Sequence, residues 1–249
     1  MAGARRGGRH DHPALPALGH ARLDEAPRVA DRARLAPPPR ARAAGDRLAA
    51  VSPEKLTARK SVRCFVALEL PHDVRAALER TQASLRRRAP RADLRWVDPE
   101  GLHVTLKFLG EVPEDALAPV ADAVRTTAAA HATITLALAG LGGFPSLARP
   151  RVLWAGIPTG VAELGRLAVA VERALELLGF PPENRPFRGH VTIARVRSPR
   201  GLGRIRAVIE AAPDVDFGSW TANEVILFRS HLRPTGADYE ALATLPLAG

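Results

Sequence analysis

The sequence contains little sulfur and no long apolar run. Its single cysteine, Cys64, excludes an internal disulfide framework and is typical of a reducing compartment. No stretch of about 18 uncharged apolar residues is present, so we predict no transmembrane helix and no membrane partner. Residues 1–13 lack the apolar core of a secretory signal, so we expect a cytoplasmic protein.

Aromatic residues are absent from residues 1–60, which are rich in Arg, Ala and Pro. Most of the chain's net charge of +10 lies there, because these residues carry 13 Lys and Arg against 6 Asp and Glu. Such a segment buries too little apolar surface to offset its ordering entropy. We therefore predict a disordered extension over residues 1–60 and a folded domain over 61–249. The alternatives for the extension are a basic RNA-binding arm, a transit peptide and a mis-assigned translation start.

Regular hydrophobic patterns begin at Val62. They predict strands over 62–70, 94–97, 102–109, 132–141, 151–157, 190–196, 224–232 and 239–245, and helices over 73–88, 113–130, 161–178 and 202–212. This order indicates an α+β fold with antiparallel sheets and outer helices. It also suggests two similar halves, each with one alternating strand that begins at a histidine.

Those two strands open with nearly the same tetrad, His-Val-Thr-Leu at His103 and His-Val-Thr-Ile at His190. Side chains alternate between the faces of a strand, so His103 and Thr105 share one face, as do His190 and Thr192. Each strand thus presents an imidazole and a hydroxyl about 7 Å apart along the backbone. Two such strands facing each other would surround a tetrahedral anion.

A phosphodiester suits this arrangement. Opening a 2′,3′-cyclic phosphate needs a base for the attacking water and an acid for the departing ribose oxygen, and histidine can be either near neutral pH. The two must lie on opposite sides of phosphorus, because the nucleophile and the leaving group are roughly in line. Threonine hydroxyls and an arginine can stabilise the remaining oxygens.

Two other interpretations of the tetrads remain open at this point. Both histidines could be satisfied residues of a sheet, or they could bind a metal. The metal site would need further ligands, and no His, Asp or Glu follows at i+2 or i+4 in either tetrad. We therefore predict neither a metal nor a cofactor. Cys64 lies in an apolar strand and is expected in the core rather than as a nucleophile.

With these motifs the sequence resembles the two-histidine (2H) phosphoesterases, and more closely the bacterial and archaeal RNA 2′,3′-cyclic phosphodiesterases, also called 2′-5′ RNA ligases. The resemblance extends over about residues 62–247. Its matching pieces, in chain order, are 62–68, 95–97, 102–110, 143–145, 150–154, 190–195, 227–230, Gly236 and Tyr239.

The resemblance implies a bilobal fold in which two antiparallel sheets with outer helices enclose a central cleft on a pseudo-twofold axis. It implies that His103 is the proton donor and His190 the proton acceptor, with Thr105 and Thr192 holding the phosphate. Arg195 matches the family's motif arginine. An ideal strand would point Arg195 away from His190, so either a bulge re-aims it or it supports the site from behind.

The resemblance further implies the substrate, an RNA 3′ end or a small cyclic phosphate that is opened to a 2′-phosphomonoester. We expect a monomer. Two alternatives stay within the fold, a small-molecule cyclic phosphodiesterase and a 2′-5′ RNA ligase. A third belongs to another class, a non-catalytic RNA-binding protein that uses the basic residues 1–60.

Overall fold

The computed structural model describes residues 60–233 and 236–249, and the prediction for residues 1–60 lies outside this part except at Lys60. Within it, no helix is long and apolar enough to cross a bilayer. The strands are β1 (Ser61–Glu69), β2 (Leu94–Trp96), β3 (His103–Pro113), β4 (Ile134–Phe144), β5 (Val152–Thr159), β6 (His190–Val196), β7 (Asp216–Ala222), β8 (Glu224–Leu232) and β9 (Ala237–Pro246). The helices are α1 (His72–Arg88), α2 (Leu117–Ala129), α3 (Val161–Glu176) and α4 (Leu202–Glu210).

These strands form one antiparallel sheet in the order β7-β4-β5-β6-β3-β1-β8-β9, with β2 paired to β6. At its centre, β3 and β6 meet in the pair Val104↔Val191. Each valine follows a motif histidine, so a local twofold axis at this pair relates β3-β1-β8-β9 to β6-β5-β4-β7. The α+β class with two similar halves is thereby confirmed. The two predicted sheets are joined at this one place into a continuous sheet.

The helices cover one face of the sheet and build the core with it. Helix α3 contributes Leu164, Leu167, Val171 and Leu175 to the core, at the spacing of one helical face. Cys64 is 1% exposed and lies in the same core, as predicted. The valines of both motifs are buried there too, so the opposite face of the sheet carries the motif histidines.

The structure differs most from the prediction at two elements. The helix predicted over 113–130 begins only at Leu117, because β3 continues to Pro113 and a 3-10 turn follows over Glu114–Ala116. Strand β7 was not predicted, since its pattern is interrupted by Gly218 at φ +103 and it lies at a sheet edge, where alternation is weak.

Lys107 is buried in this core, at 2% exposure, although it is charged. Its Nζ donates to the Pro181 carbonyl at 2.8 Å and lies 3.6 Å from the Glu172 carboxylate. The same carboxylate accepts a hydrogen bond from the Glu183 backbone N–H. A buried ammonium is unfavourable unless it is paired, so these contacts offset the cost of burying Lys107. They also hold β3 against α3 and the segment that follows it.

We expect Glu172→Ala to lower the free energy of unfolding by about 2–4 kcal/mol, because it leaves the Lys107 ammonium buried without its counter-ion. The double variant Lys107→Met/Glu172→Ala should be more stable than Glu172→Ala alone, since no unpaired charge remains. Urea unfolding measures both, with exposed Glu176→Ala of the same helix as the control. A double variant no more stable than the single one would contradict the pairing.

Candidate active site

The predicted motif side chains meet on the open face of the sheet. The antiparallel register of the two motif valines sets His103 opposite Thr192, and Thr105 opposite His190. All four are partly exposed, whereas the valines between them are fully buried. The structure therefore brings the four residues together around the twofold axis.

Both imidazoles are held in the same way by the backbone. Nδ1 of His103 donates to the Gly101 carbonyl at 2.8 Å, and Nδ1 of His190 donates to the Arg188 carbonyl at 2.7 Å. A carbonyl only accepts, so each bond requires the proton on Nδ1 in the neutral ring. Nε2 of each ring is then the atom left to take or give a proton.

His103 is enclosed by aromatic rings. The ring centroids of Phe65 and Tyr239 lie 4.7 and 5.2 Å from its own, and that of Phe228 lies 6.3 Å away. This burial lowers the pKa of His103 to about 4. The Gly101 carbonyl opposes the shift, and the positive charge of Arg195 adds to it.

His190 is less enclosed, with one edge contact to Phe144 at 5.0 Å between centroids. Burial lowers its pKa as well, the Arg188 carbonyl opposes this, and Arg195 again lowers it. Both rings are therefore neutral in the free protein at neutral pH. A phosphate anion bound beside the rings would favour the imidazolium, so a histidine acting as an acid here would acquire its proton as the anion binds.

We expect kcat/KM to follow a bell against pH with its maximum below 6.5, the ordinary histidine value, because both pKa values of the free protein are lowered. If one ring acts as the base and the other as the acid, the reactive form carries one proton on the pair, and the two limbs of the bell then report the pKa values of the pair rather than of either ring. The bell for kcat should lie at higher pH, since the bound phosphate raises both pKa values. Steady-state kinetics from acid to neutral pH measure both, and a kcat/KM maximum above neutrality would contradict the enclosed site.

Arg195 also points into the cleft. Along β6, Thr192 pairs with Trp154 and Ala194 pairs with Leu153, which leaves Ile193 as the extra residue of a β-bulge. A bulge shifts the alternation by one residue, so Ile193 and Ala194 both face the core and Arg195 returns to the open face. Of the two alternatives for Arg195, the structure has the bulge.

Strand β3 carries the matching bulge at Leu106, between the pairs Thr105↔Ala67 and Lys107↔Val66. The residue equivalent to Arg195 is therefore Phe108, which is 53% exposed in the cleft. Sequence reasoning missed this residue, although its position five places after the motif histidine was a usable signal. The twofold axis thus relates a positive charge on one side of the cleft to an apolar ring on the other.

Tyr239 was also missed as a site residue. It comes from β9, yet its ring stands edge-on to His103 and lines the same cavity as Arg195. Burial raises the pKa of its phenol, while Arg195 and Arg95 lower it. Across residues 60–233 and 236–249, no three His, Cys, Asp or Glu side chains form a group that could hold a metal ion.

Comparison with known proteins adds four likenesses, to one family, two relatives and one solved structure. The family described as LigT-like phosphoesterase matches residues 68–154 and 156–237. The RNA 2′,3′-cyclic phosphodiesterase of Aeropyrum pernix is 36% identical over 149 residues, which cover 60% of this chain and 84% of that protein. The enzyme of the same name from Methanothermobacter thermautotrophicus is 34% identical over 180 residues, which cover 72% and 95%. A crystal structure from Thermus thermophilus superposes with a TM-score of 0.63 at 34% identity, covering 75% of this chain and 98% of that one.

Proposed function

Because the chain belongs to the LigT-like phosphoesterase family, we propose that it hydrolyses RNA 2′,3′-cyclic phosphate ends to 2′-phosphomonoesters, with His103 and His190 as its acid–base pair. One observation carries this proposal. Two imidazoles with identical backbone restraints on Nδ1 lie on the open face on either side of a local twofold axis. That arrangement suits an in-line displacement at phosphorus.

In the proposed reaction, Nε2 of His190 takes a proton from water as the water oxygen attacks phosphorus. The bond from phosphorus to the 3′ oxygen breaks, and Nε2 of His103 gives its proton to that oxygen. The phosphate stays on the 2′ oxygen, and proton exchange with solvent restores the pair. Thr105 and Thr192 donate hydrogen bonds to the non-bridging oxygens, and the charge of Arg195 stabilises the developing negative charge.

The donor role of His103 needs an account, because its pKa in the free protein is about 4. The cyclic phosphate is an anion, and it displaces water from a site that already excludes water on the His103 side. Its charge favours protonation of the nearer imidazole more strongly there than in solvent. The enclosed histidine thus becomes an acid only when the substrate is in place, and it gives up its proton readily.

The twofold arrangement of the two motifs does not by itself determine which ribose oxygen leaves. The 3′ oxygen is assigned as the leaving group from the family resemblance. The test is an oligoribonucleotide ending in a 2′,3′-cyclic phosphate, with the product examined by phosphorus NMR. We expect the product to be a 2′-phosphate. Turnover should continue in excess chelator, because the proposed chemistry uses proton transfer and no metal ion. A 3′-phosphate as the main product would overturn the leaving oxygen alone, and an inert wild-type protein would overturn the function.

We further propose that the protein acts as a monomer in the cytoplasm, with residues 61–249 as the catalytic domain and residues 1–60 as an extension outside it. One chain supplies both motifs, so the site needs no second copy. The single, buried Cys64 fits a reducing compartment.

A further inference from the structure

A cavity of about 810 Å³ lies between the β8–β9 hairpin and the rings of Phe65 and Tyr239, which contact the imidazole of His103. Its lining includes Arg195, Phe108, Tyr239 and Arg95. A volume of this size accommodates a whole nucleotide with its neighbouring groups, far more than one phosphate. The cavity residues that lie away from the reacting phosphate can therefore contact other parts of the substrate.

Arg95 and Arg195 lie directly opposite each other, on β2 and β6. Like charges at directly opposed positions destabilise an antiparallel pair. Neither guanidinium forms an ion pair with a carboxylate of residues 60–233 or 236–249, and Arg95 donates only to the Arg233 carbonyl, at 3.4 Å. The repulsion between these two arginines would be relieved by an anionic ligand bound in the cavity that both of them line.

The two arginines differ in what they reach. The charge of Arg195 acts on both catalytic histidines, which places it beside the reacting phosphate. The charge of Arg95 acts on the Tyr239 phenol, and its guanidinium is directed to the hairpin at Arg233. Arg95 thus lies on the neighbouring strand, and its charge acts on the hairpin side of the cavity rather than on the two histidines.

We infer that Arg95 forms a second phosphate subsite, which takes the phosphodiester that joins the terminal nucleotide to the rest of the RNA. This inference rests on the proposed function and deepens it. A guanidinium makes charge-assisted hydrogen bonds to a phosphodiester that a nucleoside cyclic phosphate, with its free 5′ hydroxyl, does not offer. The enzyme should therefore prefer RNA ends to mononucleotides.

The experiment compares kcat/KM for a nucleoside 2′,3′-cyclic phosphate with that for a trinucleotide ending in the same cyclic phosphate. We expect the wild type to prefer the trinucleotide by at least about tenfold. Arg95→Gln should lose that preference and keep its rate on the mononucleotide. Arg95→Lys should keep part of the preference, because it retains the charge without the fork. Arg125→Gln, which removes an exposed arginine of α2, is the matched control.

Binding of the products provides a readout that does not depend on turnover. Titration with a trinucleotide ending in a 2′-phosphate and with the nucleoside 2′-phosphate should show the same preference, abolished by Arg95→Gln. Equal binding of both by the wild type would overturn the subsite. An equal loss on both ligands in Arg95→Gln would also overturn it, by placing Arg95 at the reacting phosphate. If the preference in binding persists in a protein without turnover, the hydrolytic function fails and the subsite stands.

Discussion

Replacing His103 or His190 by alanine is expected to lower kcat by about 10²–10⁴-fold, because each change removes one half of the proposed acid–base pair. The double variant should be little slower than either single one, since neither ring completes the reaction alone. The measurement is turnover of an oligoribonucleotide that ends in a cyclic phosphate. His131→Ala is the matched control, as its Nδ1 also donates to a backbone carbonyl, that of Thr127, but at the end of α2.

The loss should not come from unfolding. A histidine whose pKa is lowered on folding binds protons more readily in the unfolded chain, so the folded state loses stability as the pH falls through 6.5. His103→Ala removes this pH-dependent loss of stability, so the variant should be less sensitive to acid than the wild type even though its kcat is much lower. Thermal unfolding at two pH values tests this. A near-normal rate in His103→Ala would contradict two-histidine catalysis in this chain.

Arg195→Met is expected to lower kcat by about 10²-fold, comparable with the removal of one preorganised donor from an anion site. The physical reason is that the bulge turns this guanidinium into the cleft, where the proposed reaction develops negative charge on the phosphate. Arg195→Lys should recover only part of the rate, because an ammonium does not reproduce the planar fork. Arg125→Gln is again the control, because it shows whether removing a positive charge far from the site also lowers kcat.

The pH profile separates an electrostatic role from a merely structural one. The charge of Arg195 lowers the pKa of both His103 and His190, so its removal should raise both. The bell of kcat/KM in Arg195→Met should then move to higher pH relative to the wild type. A slower enzyme with an unmoved bell would mean that Arg195 acts on the site through its packing alone.

Local periodicity was enough to predict much of this molecule. Alternation along β3 and β6 placed His103 with Thr105 and His190 with Thr192 on one face of the sheet, since that pattern depends only on the backbone of each strand. Helical spacing of apolar residues predicted α1, α3 and α4 to within a few residues. The end of β3 at Pro113 was misjudged, because acidic residues after a proline are equally typical of a helix start.

By itself, then, the sequence determined the α+β class, the paired tetrads and the chemistry that two such histidines can perform. The tertiary structure decided how the pieces meet. A β-bulge is defined by how two strands pair, so the sequence of one strand does not reveal it. The bulges at Leu106 and Ile193 are what turn Phe108 and Arg195 into the cleft. Tyr239 reaches His103, and Arg95 stands opposite Arg195, because the sheet brings distant segments together. Proximity across a sheet depends on register and closure, which no local pattern records.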